Sequence, residues 1–297
     1  MKELIQGRAT EKTHFYTRDA EPCHTQPKKS SRVKCTVCTG NLRSAAGKAA
    51  VAACEWCDDG GWTYPESRAT TAADGRKLGL LPSVTQILKV KAKPQLTNWM
   101  IDQAILATMT SPTLGLWTND EIDQDEAVRR LREEAAEHGR LAAEEGIRIH
   151  AAWDSYMCSE PYDPEYHLHI DGIMAEVTKY VPLVRVRTEV SFAEEMYAGT
   201  IDIETSDVLG DLKTQEFDDP KGVSFYPEWA VQLAGYDRGL GRRCVSIVAS
   251  RSVPGLVVSR EWTEREMAKA REEFGLLLRL WVNNNYDPRE AGRKEQV

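Results

Sequence analysis

The feature that most limits what this chain can fold into is a change of hydrophobic period after residue 180. Upstream of it the apolar residues recur at helical spacing. Downstream, Leu183–Phe192, Ala198–Thr205 and Val208–Thr214 alternate or run β-branched, as strands do. Glu228–Leu240 returns to the helical pattern, Cys244–Ala249 and Leu256–Trp262 are again strand-like, and Thr263–Val282 closes as an amphipathic helix. Helices, three strands, a helix, two strands and a helix predict an α/β unit: a mixed sheet flanked by helices.

The leading helices follow from their start signals. Pro82-Ser83-Val84-Thr85 opens a short helix with Ser83 as N-cap. Further helices are expected over Pro94–Thr108, Glu126–Met157 (with Gly139 and Gly146 as soft points) and Pro164–Tyr180, with Ser111–Asp125 as a loop. The charge run Arg129-Arg130-Leu131-Arg132-Glu133-Glu134 reads as a solvated helix face without a function.

Composition places the chain among soluble globular proteins. It has 297 residues, 41% of them hydrophobic and 28% charged, enough for one large core and an accessory module. No apolar run approaches the ~18–20 residues of a membrane span, and Met1–Arg8 lacks an apolar signal core. The expectation is a cytoplasmic protein, in a bacterium or a phage-infected cell. The net charge of −8 argues against a protein that coats nucleic acid indiscriminately, while leaving room for one local basic groove.

Four of the seven cysteines form two pairs, Cys35-x-x-Cys38 and Cys54-x-x-Cys57, fifteen residues apart. Each pair sets two thiolates about one tetrahedral edge apart, and two pairs close an S₄ site. A structural zinc is the favoured reading, over an iron–sulfur cluster or disulfides. Residues 1–30 read as a flexible segment that includes Cys23-His24, 31–65 as a zinc-ribbon-like module, 66–80 as a linker or hairpin around Asp74-Gly75, and 81–297 as the α/β domain. Cys158 and Cys244 stand alone and read as buried apolar residues. Between Glu21 and Glu55 the charges are six lysines and arginines (Lys28, Lys29, Arg32, Lys34, Arg43, Lys48), with Trp56, Trp62 and Tyr64 close by. Such a stretch either grips phosphates and stacks bases, or is a solvated segment whose aromatics fill a miniature core.

Chemistry concentrates on two neighbouring strands. In Gly199-Thr200-Ile201-Asp202-Ile203, Ile201 and Ile203 face a core and Asp202 the other side. In Asp211-Leu212-Lys213, the acid and the lysine share a face and Leu212 is buried opposite. A short Ser206-Asp207 turn makes the strands partners, so two carboxylates and an ammonium meet on the sheet. Oxygen ligands of this kind hold Mg²⁺ or Mn²⁺; read singly, acid-x-Lys is also an ordinary surface ion pair. His150, on the helix before the sheet, either completes a metal shell or is a plain helix histidine. Gln232 and Tyr236 share a helix face that contacts a nucleic-acid backbone, positions the lysine, or packs. Glu189 holds a polar-facing strand position beside Arg187.

The ordered set His150, Glu189, Gly199-Thr200-Ile201-Asp202, Asp211-Leu212-Lys213 and Gln232-x-x-x-Tyr236 resembles the RecB-type branch of the PD-(D/E)XK nucleases, and the opening Pro82-Ser83-Val84-Thr85-Gln86-Ile87-Leu88 is similar to that of phage members. The branch includes phage recombination exonucleases, CRISPR-associated RecB-like nucleases and the mitochondrial genome maintenance exonuclease. The resemblance covers about residues 80–285 and implies a restriction-endonuclease-like mixed sheet. It implies that Asp202 and Asp211 bind a catalytic Mg²⁺ or Mn²⁺ with His150 and the Leu212 carbonyl. It makes Lys213 the catalytic lysine, places Gln232 and Tyr236 near the site and DNA, and adds Glu189. The C-terminal cysteine triplet of the CRISPR-associated members is missing, and Cys244 stands alone. That favours an appended zinc ribbon over an iron–sulfur clamp.

The function expected is a metal-dependent DNA exonuclease working from single-stranded or duplex ends in recombination, repair or phage DNA processing, with recombination proteins as possible partners and no membrane contact. An endonuclease or nickase with the same active site is the alternative, and a non-catalytic DNA-binding or partner-docking protein a third. Helices between Pro82 and Tyr180 would either arch over a strand, with Trp99 and Trp153 beside it, or simply pack.

Overall fold

The structure is a computed structural model and describes residues 14–28, 33–34, 62–63, 67–92 and 94–292. Cys35, Cys38, Cys54 and Cys57 lie outside the described residues. The chain divides into two compact units.

The first unit comprises residues 87–192 and 199–282. Its sheet has five strands: β7 (Arg187–Ala193), β8 (Ala198–Glu204), β9 (Val208–Gln215), β10 (Arg243–Ser250) and β11 (Val257–Trp262), in the order β11-β10-β9-β8-β7. β9 and β10 pair parallel, with Asp211 opposite Ser246. β8–β9 and β10–β11 pair antiparallel. The sheet is therefore mixed, as the residue pattern predicts, and β10 is buried from Cys244 to Ser250 because both its faces are covered.

On one face, Ile203, Val208, Leu212, Val245, Ile247 and Ala249 share a core with Ile149 and Trp153 of helix α5 (Gln124–Met157) and Ile170 and Ile173 of α6 (His167–Val177). Trp153 is thus a core residue; the side chain of Trp99 is not among those described. Helix α7 (Pro227–Asp237) covers the opposite face of β9 and β10. The last helix, α8 (Glu264–Asn284), buries Met267, Ala270, Phe274, Leu277 and Trp281 at helical spacing. It starts on a capping box: Thr263 Oγ1 accepts the Glu266 amide, and Glu266 accepts the Thr263 amide. The charged stretch of α5 is the solvated face that its pattern predicts, with ion pairs such as Arg129–Glu126 and Arg129–Glu133 along it.

Two helices precede α5 in this unit, α3 (Pro94–Thr110) and α4 (Thr113–Thr118). The second lies inside what the sequence presents as a loop. Cys158 ends α5 and is exposed, contrary to expectation, because the helix ends at the surface; Cys244 is buried in β10 as expected.

The second unit holds the described residues of 11–86, 193–198 and 283–297. Residues 14–28 do not behave as a tail. β1 (Phe15–Tyr16) pairs antiparallel with β6 (Leu81–Pro82), and Phe15 and Leu81 are fully buried. His24 is buried too, its Nδ1 accepting the Phe15 amide at 3.1 Å, which makes it a structural acceptor. Two nested antiparallel pairs follow: β2 (Thr25–Pro27) with β5 (Ser67–Ala69), and β3 (Val33–Lys34) with β4 (Trp62–Thr63). They bracket the four-cysteine segment. Where Asp74-Gly75 suggests a hairpin, α1 (Ala72–Leu78) forms, because Thr71 and Asp74 make a reciprocal capping box and Gly79, at φ +69°, ends the helix. Ser83 caps α2 (Val84–Leu88) as expected, its Oγ accepting the Gln86 amide at 3.0 Å.

Candidate active site

Three strands and two helices of the first unit bring the predicted residues together. Ile201 and Ile203 are buried while Asp202 between them is partly exposed, as alternation requires. The β8–β9 register pairs Ile203 with Gly210 and Glu204 with Leu209. One step further, the Asp202 carboxylate accepts the Leu212 amide through Oδ2 at 2.9 Å. That bond fixes Asp202 and turns its Oδ1 toward His150, whose Nδ1 is 4.0 Å away.

A single stripe of α5 lies against the strands. Gly146, His150 and Asp154 are four residues apart and share one helix face. At Gly146 the helix meets β9 so closely that a Cβ would stand 2.7 Å from Thr214 Oγ1. His150 meets Asp202 on β8. Asp154 meets β7, accepting the Thr188 hydroxyl at 2.5 Å. The step along the helix, about 6 Å per four residues, is close to the ~4.8 Å between strands, so one face reads three strands in turn.

His150, Glu189 and Asp202 form a trio whose ligand atoms lie within 4.8 Å of one another, each partly buried. Glu189 enters it through an unusual backbone: its φ is +50°. For a non-glycine residue such a conformation costs about 1–3 kcal/mol and persists only where the surroundings enforce it.

Asp211 lies beside this trio, not within it. Its carboxylate is fully buried. Lys213 Nζ donates to Oδ1 at 2.8 Å and stands 2.7 Å from Oδ2, yet Oδ2 has no hydrogen-bond donor in acceptable geometry. Gln232 Nε2 donates to Oδ1 at 3.1 Å and to Tyr236 Oη at 2.8 Å, while its Oε1 accepts from Lys213 at 3.2 Å. Gln232 thus contacts the lysine directly, and Tyr236, itself buried, contacts Gln232. Burial, with a smaller contribution from the Asp202 charge, pushes the Asp211 carboxyl up to about 6 against the pull of Lys213 and His150.

The donor set suits a hard divalent cation. Two carboxylates and an imidazole converge within 4.8 Å, and a third, buried carboxylate beside them has an oxygen without a donor and a charge that lacks full compensation. His150, Glu189 and Asp202 are the residues that could hold one.

The frame under Tyr236 is a buried ion network that the sequence did not disclose. Glu204 accepts from Arg242 at 2.8 Å, Arg187 at 2.7 Å and Arg238 at 3.2 Å. Arg242 also bonds Asp237 and the Tyr236 carbonyl, closing the C-terminal end of α7. Gly199 leaves room for this end: a Cβ there would stand 3.0 Å from the rings of both Phe192 and Tyr236. Asp154 and Thr188 were also missed; the spacing of four from His150 on one helix was the available signal.

Among the described residues no helix is long and apolar enough to cross a membrane. No protein-family model matches this chain. No curated protein matches it in sequence.

Proposed function

We propose that this chain is a metal-dependent deoxyribonuclease of the RecB-type PD-(D/E)XK kind, hydrolysing phosphodiester bonds from DNA ends. The observation that carries the reading is the convergence of His150, Glu189 and Asp202 beside the Asp211–Lys213–Gln232 cluster on neighbouring strands of a mixed sheet. Bound Mg²⁺ or Mn²⁺ would supply Lewis-acid polarisation of the phosphate and an acidified water. In this reading, Asp202, Glu189 and His150 hold the ion, with Asp211 and the Leu212 carbonyl as the further contributors that the resemblance implies. Lys213 stabilises charge developing on the phosphate. Gln232 keeps the ammonium aimed while Tyr236 supports Gln232. In the same reading, Cys35, Cys38, Cys54 and Cys57 bind a structural zinc in a module that grips DNA. The nested pairings of 25–27 with 67–69 and 33–34 with 62–63 support it, since they join the two ends of that segment.

The test is digestion of end-labelled linear DNA and closed circular DNA with Mg²⁺ or Mn²⁺, and with EDTA. Label released from linear DNA alone, and only with metal, is the expected result. Nicked or linearised circles would make the enzyme an endonuclease on the same site. No hydrolysis with any metal would remove the nuclease reading.

A further inference from the structure

We propose that Asp154 and Thr188 form a tether that positions Glu189 for cation binding, an inference that rests on the metal-site reading above and deepens it. Thr188 immediately precedes Glu189 in β7, and its hydroxyl donates to Asp154 Oδ1 at 2.5 Å. Asp154 lies one helical turn beyond His150 on the same face of α5. One hydrogen bond therefore ties the strand that carries Glu189 to the helix that carries His150. The need for a tether is visible in the backbone, since Glu189 holds φ +50° inside a strand. Extended backbone is the relaxed alternative for a glutamate there, and it would aim the side chain elsewhere. With the Thr188–Asp154 bond in place, Glu189 stays in the trio whose ligand atoms lie within 4.8 Å. Neither Asp154 nor Thr188 belongs to that trio, so both are positioning residues.

Mn²⁺ binding to the full chain, titrated calorimetrically without DNA, tests this. Thr188→Val keeps the β-branched shape and removes the donor; it should weaken Mn²⁺ binding about tenfold, the lower end of what loss of a ligand's supporting partner costs. Thr188→Ser restores the hydroxyl and should bind like the parent. In a Glu189→Ala background, Thr188→Val should cause no further loss, because the carboxylate it positions is gone. Thermal unfolding in EDTA verifies that each variant is folded. Should Thr188→Val not fold, Asp154→Asn, which keeps the shape and weakens the acceptor, is read the same way with a smaller loss. Unchanged affinity in the hydroxyl-free variant, or an equal loss with and without Glu189, overturns the tether. Failure of the parent chain to bind Mn²⁺ would instead sink the metal-site reading, and the tether with it.

Discussion

Replacing Asp211 by asparagine should change the pH dependence of stability in a direction that burial alone dictates. Asp211 is fully buried, and its carboxyl is pushed from 3.8 to about 6, first by desolvation. The folded metal-free protein thus holds this proton more tightly than the unfolded chain does. For a carboxyl raised in this way, stability falls as pH rises from the unfolded to the folded value. The loss across that window is about 3 kcal/mol at ~1.4 kcal/mol per pH unit. Asp211→Asn removes it. The pull of Lys213 is already contained in that raised value, and near pH 4 the lysine faces an uncharged side chain in parent and variant alike. How well the asparagine amide fits its neighbours sets the absolute stability of the variant, but not the slope. Urea unfolding in EDTA at pH 4 and pH 8 should show Asp211→Asn gaining roughly 2–3 kcal/mol on the parent between the two. A difference that is flat, or that moves the other way, would refute the claim that burial outweighs the pull of Lys213 on this carboxylate.

Three further outcomes are expected. Arg242→Ala should destabilise the fold by about 3–5 kcal/mol in denaturant unfolding, because it leaves the buried Glu204 and Asp237 short of a partner. Gly172→Ala should cost about 1–3 kcal/mol, since a Cβ would meet the Gly255 carbonyl and Val257 at 2.6 Å and backbone cannot yield cheaply; a neutral Tm would mean the helix shifts freely. Cys35→Ser should lower the zinc content measured by elemental analysis from about one per chain; iron with acid-labile sulfide in the parent protein would replace zinc by a cluster.

Much of the first unit was legible because its periods are clean. The strand boundaries at 198–204, 208–215 and 243–250 fall within two residues of those read from alternation, and Asp202 and Lys213 stand where a period of two puts them. The failures have separate causes. At Thr71–Asp74, a capping box outcompeted the turn tendency of Asp-Gly. At 113–118 a short helix formed among residues that carry loop signals. Phe15 and His24 belong to a small core whose partner strand is at 81–82, a long-range pairing that a polar N-terminal stretch does not advertise. Glu189 was recognised as acidic and strand-borne, but a left-handed glutamate leaves no mark in sequence. Its place beside His150 and Asp202, and the separate place of Asp211 against Lys213 and Gln232, needed three dimensions to see.

If this cluster hydrolyses phosphodiester bonds with a divalent cation, as proposed, Lys213→Ala should remove most of the activity. Release of acid-soluble nucleotides from linear DNA should require Mg²⁺ or Mn²⁺, and the variant should lose at least about a hundredfold in rate, the usual cost of removing one charge-stabilising donor, while thermal unfolding shows it folded but less stable than the parent, because the buried Asp211 loses its cation. Cleavage by the variant at the parent's rate, or cleavage by both that persists in EDTA, would rule out a metal-dependent nuclease at Lys213.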